Sequence, residues 1–395
     1  MNEVSREDGA VSPVHGVGFG AELRRRREAA GLSQPALGRL ASYDRTLISK
    51  VETGAELPSA AFAEAVDRAL EAGGALAALA PLPEPDDLTA LVAADEGTVA
   101  WLRDALYGLR KVEHLAPPEP LMAVLRGHLH TIRTARRTAS DAIRRDLVGL
   151  AAEYAGTLSG LAQEANDVTG AVAWRERSVE WALQAGAGYR EFVINASTCR
   201  SSLAWWRGDA GDALDAARAV RYADGPVPSI LLAGGAHYEA RALALAGDEP
   251  GCMARLEESA RLAEQAETEG TPGFATAPNI VWSSTDLDAL AAVCLTDLGH
   301  GARAAEIMRR GLRASARLAS GRGQHVSLYR LARAHEVAGQ YEEAAEAGMA
   351  AVGPAARSGS RRTVSDLCGL RSRLVAAAGT LPAVRAFNDR LHAAG

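Results

Sequence analysis

The chain has 395 residues, a formal net charge of -6, and a hydrophobic fraction of 48% with aromatics at only 5%. That length allows two or three domains with cores of ordinary size, and apolar content carried by Ala and Leu favours helix over strand, so an all-α protein is expected. Four scattered cysteines, Cys199, Cys252, Cys294 and Cys368, show neither paired spacing nor a nearby histidine ligand, which speaks against a metal centre or a disulfide framework.

No apolar run approaches the ~18 residues of a membrane span, and the start "MNEVSREDGAVSPVHGVG" lacks a basic-then-apolar secretion signal. A cytoplasmic protein without a membrane partner is the expectation. Lysine occurs only at Lys50 and Lys111, so arginine carries nearly all the positive charge. An acidic total leaves nucleic acid open as a partner, because binding depends on where charge is clustered.

Residues 1–18, rich in Gly, Ser, Pro and charge, read as a flexible arm. A helical pattern then runs from Phe19 to about Ala80. "GAELRRRREAAG" is a basic amphipathic helix, with Gly31 closing it. Ser33 can cap a second helix that has Pro35 in its first turn and Leu37 and Leu40 turned inward. Asp44 can cap a third, "RTLISKVE", whose Leu47, Ile48 and Val51 share an apolar face. Two short helices joined by a tight turn describe a helix-turn-helix.

Leu32-Ser33-Gln34, Leu37, Ile48-Ser49, Glu52, Gly54 and Pro58-Ser59, with no gap between them, resemble the phage-repressor-type (XRE) family over residues 19–72. Ser42 departs from it, standing where the family often has a turn glycine. The resemblance implies a five-helix-type DNA-binding domain at 19–80 whose third helix lies in the major groove. Arg45, Thr46, Ser49 and Lys50 would then face bases: Arg45 can grip guanine O6 and N7, Thr46 a thymine methyl or base edge, Lys50 guanine or a phosphate. Ser33 and Gln34 would meet phosphates, with Arg24 and Arg27 adding attraction. Glu52 is expected to be structural, since DNA repels a carboxylate.

"PLPEPDD" at 81–87 reads as a linker, because each proline removes a donor and restrains its neighbour. Residues 88–144 hold two helices, 98–113 and 120–138, that can pack within the chain or across a dimer. Beyond them a turn recurs at Asn166, Gly208, Gly247, Gly299 and Gly339, spaced 42, 39, 52 and 40 residues apart. Five residues after each turn stand Ala171, Ala213, Cys252, Ala304 and Ala344; seven before it stand Ser159, Ser201, Ala240, Ala292 and Ala332. Two helices can cross closely only where small residues meet, so this double column is a packing signature.

The pattern resembles tetratricopeptide-type hairpins, with spacings longer than that family's roughly 34-residue repeat and an insertion near "TEGTPGFATAPN". It implies an α-solenoid over 145–395. The family's lining positions, carried over one at a time, give a concave face of Glu153, Gln163, Asn195, Thr198, Ser202, Trp205, Trp206, His237, Tyr238, Arg241, Asp286, Tyr329, Arg330 and Arg333. Asn195 can pair with a peptide backbone, while Arg241 and Arg330 can hold a carboxylate.

The combination resembles RRNPP-type peptide receptors. It implies a transcriptional regulator, dimeric on a double-stranded operator, whose repeats bind a peptide or small-molecule effector. The alternative is a DNA-tethered scaffold whose repeats hold a small partner protein. No nucleophile-base pair, metal spacing or phosphate loop is present in the sequence, so neither an enzyme nor a cofactor is expected.

Overall fold

The computed structural model describes residues 15–53, 56, 58–79, 94–112, 116–269, 284–314 and 321–393. The Pro-rich stretch 81–87, most of the N-terminal arm, Gly54 and the insertion at 270–283 lie outside the described residues. The chain divides into two units, Met1–Asp86 and Asp87–Gly395.

The first unit holds α1 (His15–Ala29), α2 (Gln34–Ala41), α3 (Arg45–Glu52), α4 (Ala60–Ala69) and α5 (Ala75–Leu79). Each boundary has a local cause. Gly31 leaves α1 at φ 66°. The hydroxyl of Ser33 accepts from the Ala36 amide, that of Ser59 from Phe62, and the Asp44 carboxylate from Thr46. Ser42 itself adopts the left-handed conformation, φ 61°, that the family's glycine would supply. Gly38 lets α2 meet the following turn, because a Cβ there would lie 2.6 Å from the Tyr43 carbonyl oxygen.

Phe19, Leu23, Leu37, Ile48, Val51, Phe62, Val66 and Leu76 make the core of this unit. Each such side chain contributes about 1.5–3 kcal/mol relative to exposure. The buried carboxylate of Asp67 accepts from the amides of Gly74 (2.7 Å) and Leu76 (2.9 Å), which orients α5.

The second unit begins with α6 (Glu96–Val112) and α7 (Pro118–Ala135), both packed on α8 (Asp141–Glu164). Tyr154 donates 2.7 Å to the Leu102 carbonyl and lies 2.9 Å from His128 Nδ1, tying the three helices together. The two connecting helices therefore pack within the chain. Five antiparallel hairpins follow: α8 with α9 (Val168–Ala185), α10 (Arg190–Trp206) with α11 (Ala210–Arg218), and α12 (Ser229–Leu245) with α13 (Glu249–Glu269). The last two are α14 (Ser284–Asp297) with α15 (Gly301–Ala314), and α16 (Gly321–Val337) with α17 (Tyr341–Ser358). Helices α18 (Arg361–Ala378) and α19 (Pro382–His392) end the array. The leading helices α10, α12, α14 and α16 pack in succession, the arrangement of an α-solenoid.

The five recurrent turns share one backbone geometry. Asn166, Gly208, Gly247, Gly299 and Gly339 have φ of 60°, 76°, 78°, 88° and 73°. In each, the next residue's N–H donates to the carbonyl five residues back, at 2.8 to 3.0 Å, which closes the preceding helix. Asp167, Asp209 and Asp248 then cap the next helix with their carboxylates. All ten small residues flanking the turns are at most 1% exposed. Ser159 Oγ donates 2.7 Å to the Ala171 carbonyl, so the two columns meet in the first hairpin. A sixth turn of the same form, Gly359 at φ 65° followed by Ser360, joins α17 to α18 and escapes the spacing argument.

Among the described residues no helix is long and apolar enough to cross a membrane.

Candidate functional site: a DNA-reading helix and a solenoid cavity

Helix α3 turns two faces to different surroundings. Ile48 and Val51 are buried and Leu47 half-buried, while Arg45, Thr46 and Lys50 are exposed and Ser49 is partly so. Their i, i+1, i+4, i+5 spacing puts the four polar residues on one stripe. The Thr46 amide donates 2.6 Å to the Asp44 carboxylate, which fixes the helix start, and the Thr46 hydroxyl together with that amide holds the carboxyl below its usual range. Lys50 Nζ lies 3.2 Å from Glu56, an exposed pair that water weakens. A guanidinium, two hydroxyls and an ammonium so arranged can read donors and acceptors along a groove.

The residues expected at phosphates divide into two kinds. Arg27, only 8% exposed, gives Nε and Nη2 to the Glu52 carboxylate at 2.6 and 2.9 Å and Nη1 to the Leu32 carbonyl at 2.9 Å. Gln34 Nε2 donates 2.9 Å to the same carboxylate. Both side chains are thus internal cross-links, not free phosphate donors. A buried carboxylate must be paired and hydrogen-bonded, and that demand takes precedence. Glu52 consequently joins α1 and α2 to α3. Ser33 and Arg24 stay at the surface, the first accepting from the Ala36 amide and the second pairing with Glu28 at 2.9 Å.

In the second unit, a cavity of about 240 Å³ lies between the C-terminal ends of α10 and α14, the middle of α16 and the start of α18. Trp205, Tyr329, Arg330 and Arg333 of the expected concave face line it together. Behind Trp205, the guanidinium of Arg241 sits 4.1 Å from the indole ring and 5.2 Å from that of Tyr238. Arg241 is 4% exposed. Burial and the neighbouring guanidinia of Arg241 and Arg362 push Arg330 down to about 10. Arg333 is paired with Glu336.

The other expected residues lie apart from this wall. His237 is 1% exposed, edge-on to Tyr238 at 5.7 Å; burial, then Arg241 and Arg330, push its imidazole down to about 3. It is a neutral core residue rather than a surface contact. Ser202 hydrogen-bonds the Tyr238 phenol. Thr198 is buried and donates 2.7 Å to the Asn195 carbonyl, with the Asn195 amide oxygen at 3.3 Å. Asn195 and Thr198 are thus engaged with each other within α10. The side chain of Asp286 lies outside the described residues.

Trp206, expected beside Trp205, lines the cavity too, and Asp297, Arg362 and Asp366 line it without being among the expected residues. Asp297 accepts 3.2 Å from the Trp205 indole, and Arg362 donates 2.8 Å to Glu164. Positions counted back from five turns cannot reach α18, which follows the sixth. The Gly359-Ser360 pair, a left-handed residue and then a cap, is the signal that marks it.

Comparison with known proteins gives three results. No curated protein matches the chain. Two solved structures are similar to it: one titled as Bacillus thuringiensis PlcR in complex with the peptide PapR7 and DNA, at 12% identity and a TM-score of 0.34, covering 96% of this chain and 94% of that one. The other is titled as the P58(IPK) TPR domain, at 12% identity and a TM-score of 0.22, covering 91% and 93%. Residues 19–80 match the family described as "Helix-turn-helix domain", and this segment, with its capped α2 and α3, is a helix-turn-helix DNA-binding domain followed in the chain by an array of helical hairpins.

Proposed function

We propose that the protein is a sequence-specific transcriptional regulator that binds a palindromic operator as a dimer. Arg45, Thr46, Ser49 and Lys50 read bases, and Ser33 and Arg24 approach the phosphates. The solenoid binds a peptide or small-molecule signal that changes operator affinity. The observation that carries this reading is the polar stripe on α3, held out to solvent by a helix whose opposite face is locked through Glu52. The sensing role is supported by the lined cavity. A half-open space of about 240 Å³ walled by aromatic rings and guanidinia favours an effector over the broad apolar groove a protein scaffold would need.

An effector acts only through different affinities for the DNA-competent and incompetent states, and a tenfold change in occupancy ratio needs about 1.4 kcal/mol. The test is recovery of genomic DNA fragments by the purified full-length protein, alongside a variant with Arg45→Ala and Lys50→Ala. An enriched inverted repeat that the variant loses is expected. Equal recovery by both proteins would sink base reading by α3.

A further inference from the structure

We infer that the solenoid cavity is a site for one anionic group, a carboxylate or phosphate carried on a small apolar or planar body, with Arg330 as its central ligand. This rests on the reading of the solenoid as a sensing unit and names the chemistry of its effector.

The cations of this region are unevenly satisfied. Arg333 has Glu336, and Arg362 has Glu164. Arg330 and Arg241 have no ion-pair partner among the described residues, and Arg241 is instead covered by aromatic faces. A guanidinium that is partly withdrawn from water and repelled by two others is costly to maintain. Its ordinary remedy is a carboxylate, and two acids of the wall feel the Arg330 charge without reaching it as an ion pair. Asp297 accepts from the Trp205 indole, and burial raises both Asp297 and Asp366 against the pull of the neighbouring guanidinia. An incoming oxyanion would supply what Arg330 lacks, in the planar geometry that guanidinium favours.

The rest of the wall sets the body of the ligand. Trp205, Trp206 and Tyr329 provide flat apolar surface beside the cations. At about 240 Å³ the space holds a group of amino-acid size, and it is open on one side. A peptide effector would place a single anionic residue or its terminus here.

The test uses the full-length protein, with sodium benzoate and inorganic phosphate as probes and sodium chloride at matched ionic strength as control. Thermal unfolding is followed for wild type, Arg330→Met and Arg330→Lys, with Arg385→Met as an exposed control. The expected result is a saturable rise in Tm of about 2–4 °C at tenfold excess over Kd for wild type and Arg385→Met. Arg330→Met should begin at an equal or higher midpoint, because like-charge repulsion is relieved, and should lose the rise. Arg330→Lys should keep part of it.

A response to benzoate alone identifies a carboxylate ligand, and one to phosphate alone a phosphate ligand; either upholds the anion site. An equal rise with chloride, an equal rise in Arg330→Met, or no rise with either probe overturns it. Should Arg330→Met fail to fold, calorimetric titration of wild type and Arg330→Lys with the same probes decides, and equal affinities overturn the inference. DNA-fragment recovery on the same preparation separates the two readings. An enriched operator without anion binding leaves the regulator standing and removes the site; saturable anion binding without enriched DNA does the reverse.

Discussion

Glu164 at the end of α8 accepts a hydrogen bond of 2.6 Å from Ser360 Oγ, across a sequence separation of 196 residues. Arg362 Nη2 donates 2.8 Å to the other carboxylate oxygen, and buried His325 lies 3.6 Å away. The first hairpin of the solenoid is therefore fastened to the helix that follows the last one. Most solenoid contacts join neighbours only, so this one couples the ends of the array. Ser360→Ala is expected to cost about 1.5–3 kcal/mol, the range for a hydrogen bond to a charged group. Hydrogen exchange should show faster opening of α8 and α18 together; faster exchange confined to α18 would show that the contact does not couple them.

Within the helix-turn-helix, Glu52 is the joint between three helices. Glu52→Ala leaves Arg27 buried without its partner and should destabilise the first unit by about 3–5 kcal/mol, while Glu52→Gln, which keeps the bond with Gln34 possible, should cost less. Chemical denaturation followed through the unfolding of residues 19–80 checks this. A loss under 1 kcal/mol for Glu52→Ala would mean that the pair contributes little.

Ser42 occupies a left-handed conformation that disfavours a Cβ. Ser42→Gly should stabilise the domain by about 0.5–1 kcal/mol, the relieved strain exceeding the added entropy of the unfolded glycine. The denaturant midpoint should rise with unchanged slope. A lower midpoint would show that the Ser42 side chain makes a compensating contact.

Arg45→Ala should weaken binding to the preferred operator by about 1–3 kcal/mol and relax the choice at one base pair. Comparison of affinities across single-base operator variants at fixed salt checks it. A uniform loss on every sequence would assign Arg45 to a phosphate.

His237 makes stability fall on the acid side. Its folded pKa, about 3, is below the unfolded value near 6.5, so the unfolded chain takes up the proton first. The contribution is complete above about pH 6.5 and is lost as pH falls toward 3, at no more than about 1.4 kcal/mol per pH unit. His237→Gln should flatten the stability profile between pH 6.5 and 4.5. Identical profiles for the two proteins would remove His237 as the cause.

The sequence by itself determined whatever depends on local spacing. Caps at Ser33 and Asp44, the left-handed turns from Asn166 to Gly339 and the small columns beside them are short-range steric and hydrogen-bonding requirements, so they can be read from neighbouring residues. The stripe of Arg45, Thr46, Ser49 and Lys50 follows from helical period alone. Tertiary structure decided which polar groups remain available. Arg27 and Arg24 look equivalent in the run "RRRR", yet only Arg27 points at Glu52, 25 residues away, and burial commits it there. The same holds in the solenoid, where Arg330 lies beside Arg241 and Arg362 only because α12, α16 and α18 are brought together by the stacking of the array. A charge left without a counter-ion is a property of that stacking, and no spacing in the sequence records it.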